Sequence, residues 1–212
     1  MRRFIFNLVS VLFSAVKFGI MKLFHFHHFF YSGVQRFSPN TEVVIAEGGT
    51  IRLGRHVRAH RRSKLLAMDG GTLEIGSNTA LGNGVSVNCM ESIVIGEGVQ
   101  IGPDTKIYDH DHDYRVPGGI GAGKFVTAPV TIGDNSWIGC NVVILRGTSI
   151  GKNCIVGAGA VVSGGAHFPD GSLIVGIPAK AISELHPVQI EHNRENAATY
   201  CRLALEHAKE AD

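Results

Sequence analysis

A net charge of +2 over 212 residues gives no overall basic field of the kind that draws a protein to nucleic acid, and 27 glycines are far more than a helical protein of this length carries. Four cysteines, Cys89, Cys140, Cys154 and Cys201, have neither CxxC spacing nor the density of a disulfide framework, which favours a reducing compartment. Length and composition fit one elongated domain with two appendages.

The first appendage is residues 1–40. From 4 to 30 the chain is dominated by Phe, Leu, Ile and Val, yet Arg3, Asn7, Ser10, Ser14, Lys17, His25 and His28 recur within an arc of roughly 80° at about 100° per residue. This predicts a helix with a broad apolar face and a narrow polar stripe, followed by a linker. A transmembrane span needs a run nearly free of polar groups, and a secretory signal needs a small-residue cleavage site; neither pattern is met. Two roles fit: a helix lying in a membrane interface through residues 1–30, with Arg2, Arg3, Lys17 and Lys22 at the headgroups, or a helix packed between subunits of an oligomer.

Residues 41–182 carry a period of six. Ile132, Ile138, Ile144, Ile150, Val156, Val162, Phe168 and Ile174 follow one another without a miss, and a parallel register at Ser136, Val142, Thr148, Cys154 and Ala160 holds only small or β-branched side chains. Rougher hexads precede them at Ile45, Ile51 and Val57, at Ile75, Leu81, Val87 and Ile93, and at Ile95, Ile101 and Ile107. Such a repeat builds a coil in which each unit adds a short strand and a bend, stacking aliphatic side chains in interior columns. The cluster Arg55, His56, Arg58, His60, Arg61, Arg62 and Lys64 reads as a solvated coil edge, with an anionic ligand as the alternative.

Between Ile107 and Val130 the hexads stop, at Tyr108-Asp109-His110-Asp111-His112-Asp113-Tyr114 and a Gly-rich stretch, giving a loop insertion at 113–129. A rigid scaffold that expels a loop is where sites are built. An imidazole near neutral pH takes a proton, and a neighbouring carboxylate fixes its tautomer. In extended chain His110 and His112 share one face, and Asp109, Asp111 and Asp113 the other. A metal site and a merely polar loop are the competing readings. The last appendage, 183–212, reads as an exposed helix from Pro187 to Glu210, with no chemistry assigned.

The hexads and their interruption resemble the hexapeptide-repeat acyltransferases, in particular their sugar O-acetyltransferase-like branch. The resemblance implies an all-β solenoid, a left-handed parallel β-helix of triangular section with three hexads per turn, here in six or seven coils with an irregular one near 58–72, flanked by the amphipathic and carboxy-terminal helices. The family pattern Ile-Gly-x-x-Val-x-Ile-x-Pro-x-x-x-Ile is met by Ile95, Gly96, Val99, Ile101, Pro103 and Ile107, which puts the general base at His112 with His110 as runner-up. On the acceptor side the resemblance brings in Asn88, Asp109 and Asp111. The run from Ala128 to Gly139 looks like the family's coenzyme A segment. By position, Trp137 lies near the site, the Cys140 N–H faces the thioester, Ala158 and Ser163 line the pantetheine groove, and Lys180 approaches the nucleotide phosphates. Cys140 replaces a frequent Ser or Ala, and Ser163-Gly164-Gly165 a frequent Thr-Lys-Asp.

What this implies is an acetyl-CoA-dependent O-acetyltransferase, without a metal, moving acetyl directly to a sugar hydroxyl in surface polysaccharide biosynthesis. The acceptor is a small-molecule or lipid-linked sugar, and the enzyme a cytoplasmic or membrane-peripheral homotrimer that binds no nucleic acid. Serine, an antibiotic or an amino-sugar nitrogen are alternative acceptors. A γ-type carbonic anhydrase-like zinc enzyme and a non-catalytic β-helix scaffold are alternative functions. The zinc reading needs further histidines after the interruption, and none occurs from Asp113 to Ala166.

Overall fold

The computed structural model describes residues 2–185 together with Val188 and Glu191, with side chains from Phe6 onward. A 23-residue helix, α1 (Arg2–Phe24), is followed by a left-handed parallel β-helix of about seven turns. Its three faces are sheets of seven, eight and six strands, and within them successive strands pair in parallel one full turn apart, except for the last strand of the second face. On the first face Leu53, Ile75, Ile95, Ile132, Ile150 and Phe168 lie in one register; on the second Phe37, Ala59, Leu81, Ile101, Ile138, Val156 and Ile174; on the third Leu65, Val87, Ile107, Ile144 and Val162. From Ile75 to Ile174 these columns are the hexad positions read from the sequence, and with Phe168 packed against them they lie in the buried core. In the first coils Phe37, Leu53, Ala59 and Leu65 hold the columns, whereas Ile45, Ile51 and Val57, read there as hexads, and Ile93 lie in other registers.

The register of small residues has its own physical cause. At an inward corner the backbone bends and its polar groups cannot all meet the neighbouring strand, so a short hydroxyl serves them. Thr105 Oγ1 donates to Gly139 O at 2.8 Å and accepts from Val142 N, and Ser136 Oγ donates to Gly151 O at 2.9 Å and accepts from Cys154 N. The coils stack so closely at the second-to-third corner that a Cβ on Gly139 would lie 2.6 Å from Ala158 N. Asn141 at this same corner, and Asn135 and Asn153 at the first-to-second corner, turn the chain with φ of 55°, 57° and 55°, a conformation that Asn tolerates better than most side chains.

Three boundaries differ from the sequence reading. The coil begins before residue 41, because Phe29–Tyr31 and Arg36–Phe37 already pair in parallel with Thr50–Leu53 and Arg58–Ala59. The 58–72 stretch is a regular coil, with Arg58–Ala59 and Lys64–Ala67 in register above and below. At the far end Lys180–Glu184 runs antiparallel to Ser172–Val175, so strand continues past residue 182. The helix expected from Pro187 lies outside the described residues, Val188 and Glu191 excepted.

The polar stripe of α1 turns inward. Phe18 is fully buried against Phe29, Tyr31 and Phe37 at ring separations of 5.1, 5.5 and 4.9 Å. Ser14 Oγ accepts from Phe37 N at 2.7 Å, Lys17 Nζ donates to Thr41 O and Lys22 Nζ to Phe29 O, each at 2.9 Å. The first coil has no coil beneath it, so its edge would leave backbone groups bare; polar side chains of the helix meet them while Phe18 plugs the core. Lys17 and Lys22 therefore hold the coil rather than face headgroups. Burial pushes the Lys17 ammonium below the usual lysine value, an effect that Glu42 partly opposes.

Candidate active site

The third-face strand Lys106–Tyr108 leaves the prism at Asp109 and returns at Val130. His110–His112 and Phe125–Thr127 form an antiparallel hairpin, and Ala128 N donates to Asp109 O at its neck. Asp109 is fully buried and accepts from Met90 N at 2.9 Å, from Glu91 N at 2.8 Å and from His110 Nδ1 at 3.0 Å. Burial alone would raise its pKa, but the hydrogen bonds from His110, Glu91, Met90 and Cys89 outweigh it and hold the carboxyl below the usual aspartate value. An ionised Asp109 requires the proton of a neutral His110 on Nδ1, which leaves Nε2 as an acceptor.

The His110 ring is held edge-on by Tyr108 at 5.9 Å and Phe125 at 5.5 Å, with 14% of the side chain exposed. His112 is exposed and tilts over Phe125 at 4.6 Å. Both imidazoles thus meet one ring, as alternation predicts. Alternation fails at Asp109, where the chain kinks off the face and turns its carboxylate back to the adjacent His110. Asp109, read from the sequence as an acceptor contact, is sealed from solvent and serves the histidine instead. Asp111 is exposed and bridged to Arg146 Nε at 2.7 Å, which ties the hairpin to the next coil. Asn88 lies one coil below, in register with Tyr108, and its Nδ2 donates to Ser86 Oγ.

Sequence reasoning missed Phe125, Arg146 and the Met90 and Glu91 N–H groups. The coil period supplies a signal for the last two, because a residue stacks over one some 18–20 positions earlier. Cys89 shares this corner, and burial, reinforced by the Asp109 charge, pushes its thiol far up, which removes it as a nucleophile. Among the described residues no group of three or more His, Cys, Asp and Glu side chains converges as a metal site would require.

The expected donor residues divide between two corners. Cys140 and Ala158 stack at the second-to-third corner, and Lys180, opposite Val175 at the end of the second face, continues that line. Trp137 stands outward on the second face between Gln100 and Ile155 with half its surface exposed. Ser163 instead follows Val161–Val162 on the third face and stacks at the third-to-first corner, where Gly165 N donates to Arg146 O. It shares a corner with the hairpin, not with Cys140. Trp137 on the second face and Cys140 and Lys180 toward its far corner are all exposed.

Residues 129–164 match the family model of the bacterial transferase hexapeptide (six repeats). A probable acetyltransferase of Mycobacterium tuberculosis is 36% identical over 135 residues, 62% of this chain and 43% of that protein. A putative lipopolysaccharide biosynthesis O-acetyl transferase of Escherichia coli is 29% identical over 150 residues, 66% of this chain and 74% of the relative. Galactoside O-acetyltransferase of the same organism is 30% identical over 121 residues, covering 55% and 56%. Among solved structures, a hexapeptide-repeat acetyltransferase of Vibrio cholerae complexed with acetyl coenzyme A superposes with a TM-score of 0.55 at 26% identity, covering 82% of this chain and 78% of that one. An N-acyltransferase of Bacillus cereus in complex with dTDP and 3-hydroxybutyryl-CoA gives 0.64 at 21% identity, covering 80% and 90%, a likeness of fold.

Proposed function

The chain carries the hexapeptide repeat of bacterial transferases, and from that premise we propose that it moves an acetyl group from acetyl-coenzyme A to a hydroxyl of a sugar. The observation that carries this reading is the buried Asp109 carboxylate 3.0 Å from His110 Nδ1. Asp109 fixes the tautomer, and His110 Nε2 takes the acceptor's hydroxyl proton as its oxygen attacks the thioester carbonyl carbon. The Cys140 N–H stabilises the resulting oxyanion, in the role that the family resemblance gives it. Collapse breaks the C–S bond, and His110 returns the proton to the departing thiolate, so no group on the protein is acylated. His112, open to solvent beside Phe125, contacts the acceptor, with Asn88 beneath.

A positioned base favours oxygen over nitrogen, since an alcohol must lose its proton to attack while a neutral amine already carries a free electron pair. The lipopolysaccharide relative supports a sugar of a surface polysaccharide, free or lipid-linked, acetylated on the cytoplasmic side. Thioester and base occupy different corners of one prism. Six residues per face at about 3.3 Å each separate neighbouring corners by roughly 15–20 Å, whereas reacting atoms must approach to about 3–3.5 Å. A second copy must therefore bring its donor corner to this hairpin, which supports a homotrimer with sites between subunits.

The test is release of free thiol from acetyl-coenzyme A by the full-length protein across sugars, serine, aminoglycosides and amino sugars. Thiol release dependent on a sugar lacking an amine supports the reading. Release with amines alone moves it to nitrogen, and none with any acceptor moves it to a scaffold.

A further inference from the structure

Because the polar stripe of α1 is spent on the coil, the face it leaves outward is apolar without interruption. Leu8, Val9, Leu12, Val16, Ile20 and Leu23 are 45–77% exposed, with only Ala15 and Gly19 between them. At about 1.5 Å per residue this stripe runs roughly 20–25 Å along the base of the prism, and Phe24 and Phe26 extend it, 77% and 63% exposed. Contiguous apolar surface of that extent on a soluble protein marks a docking site.

Charge says what docks there. Residues 1–68 hold eleven of the 20 Lys and Arg but two of the 18 Asp and Glu, and residues 1–41 hold no acid at all. Successive coils stack along the axis, so among the described residues this segregation in sequence is segregation in space, with basic first coils and more acidic coils above them. Basic groups lie beside and just beyond the helix: the Arg61 guanidinium lies 4.8 Å from the Phe6 ring centre, and that of Arg52, which also pairs with Glu74, lies 4.4 Å from the ring centre of Phe30 in the first strand. An apolar ridge rimmed by cations complements a surface that is apolar within and anionic at its edge.

We propose that α1, still seated on the first coil, docks the protein on an anionic lipid bilayer, with its apolar face in the interface and the basic coils at the headgroups. By length and composition Phe6–Phe24 could also cross a bilayer. Crossing would pull Phe18, Ser14, Lys17 and Lys22 from the coil they cap and carry two cations into hydrocarbon, so lying flat is favoured. The inference is independent of the proposed chemistry.

Flotation of the full-length protein with vesicles tests it. Expected is co-flotation with phosphatidylcholine–phosphatidylglycerol vesicles at low salt, weaker by about tenfold on phosphatidylcholine alone or at high salt. Leu12→Glu with Val16→Glu should melt close to the wild type, because these side chains are 58% and 65% exposed, yet stay at the bottom of the gradient. Absence of wild-type flotation overturns the proposal, and a simultaneous change in sedimentation of the double variant would then assign the face to contacts between copies. Undiminished flotation of the folded double variant overturns it too, as does wild-type protein that alkaline carbonate cannot strip from the vesicles, which would mean a crossing helix. Thiol release with a soluble acceptor, measured on the same samples, reports the chemistry separately.

Discussion

His110 Nδ1 lies 3.0 Å from Oδ1 of Asp109, and that carboxylate, fully buried, is gripped from behind by the Met90 and Glu91 N–H groups of the coil beneath. The imidazole is thereby held at both its tautomer and its angle, which is what a general base needs. His110→Ala is expected to slow acetyl transfer by about 10²–10⁴-fold with coenzyme A affinity retained, and His112→Ala to slow it less. Steady-state rates with isothermal titration of coenzyme A check this, and the reverse ranking would move the base to His112.

Asp109→Asn keeps the shape but replaces one acceptor oxygen with an NH₂ facing N–H donors. It is expected to cost about 2–3 kcal/mol and to lower kcat while leaving KM for acetyl-coenzyme A near wild type, a split that simple loosening of the fold would not give. Its pH dependence has a definite sign. The folded carboxyl sits below the ordinary value of 3.8, so the unfolded chain binds the proton first as pH falls. The stabilisation is full well above 3.8 and is lost as pH drops through the lower folded value. Urea melts of wild type and Asp109→Asn should therefore converge in acid and separate fully at neutral pH.

Arg146 and Asp111 form a 2.7 Å bridge with both partners substantially exposed. Such pairs add at most about 1 kcal/mol, so Arg146→Ala should hardly move the melting temperature. It frees the hairpin that carries His110, and the rate is expected to fall about tenfold through misplacement. Equal loss of stability and rate would refute a positioning role.

Three glycines separate close packing from backbone conformation. A Cβ on Gly139 would meet Ala158 N at 2.6 Å with no flexible neighbour to give way, and Gly139→Ala should cost about 3 kcal/mol. Gly159 faces open space but has φ +71°, so Gly159→Ala should cost about 1–2 kcal/mol. Gly121 has neither constraint, and Gly121→Ala should stay within about 0.5 kcal/mol. Denaturant melts rank them.

The hexads made the prism legible because a six-residue period needs no long-range information: Ile138 and Val156 are paired in the fold because they are three units apart in the chain. The hairpin was legible as an interruption. What sequence could not say was which histidine faces a carboxylate, since alternation holds along a strand and breaks at the kink where Asp109 turns inward. The helix misled for a related reason. A polar stripe on an apolar helix suggests a wet face, and only the bare edge of the first coil, from Phe29 to Thr41, explains why Ser14, Lys17 and Lys22 point into the protein.

The proposed division of the site between corners makes the last prediction. His110 belongs to the third-to-first corner and Cys140 to the second-to-third, too far apart to meet on one chain. If a neighbour supplies the second, two differently damaged subunits can repair one another. His110→Ala lacks the base, and Ala158→Trp, which blocks the corner beside Cys140, lacks the donor groove; each alone should be nearly inactive. Unfolded, mixed and refolded in equal amounts, they should sediment as a trimer and recover about a quarter of wild-type activity, because random assembly pairs an intact hairpin with an intact groove in that fraction of sites. A mixture as inactive as its parents, with both variants shown to share trimers, would place the whole site on a single chain.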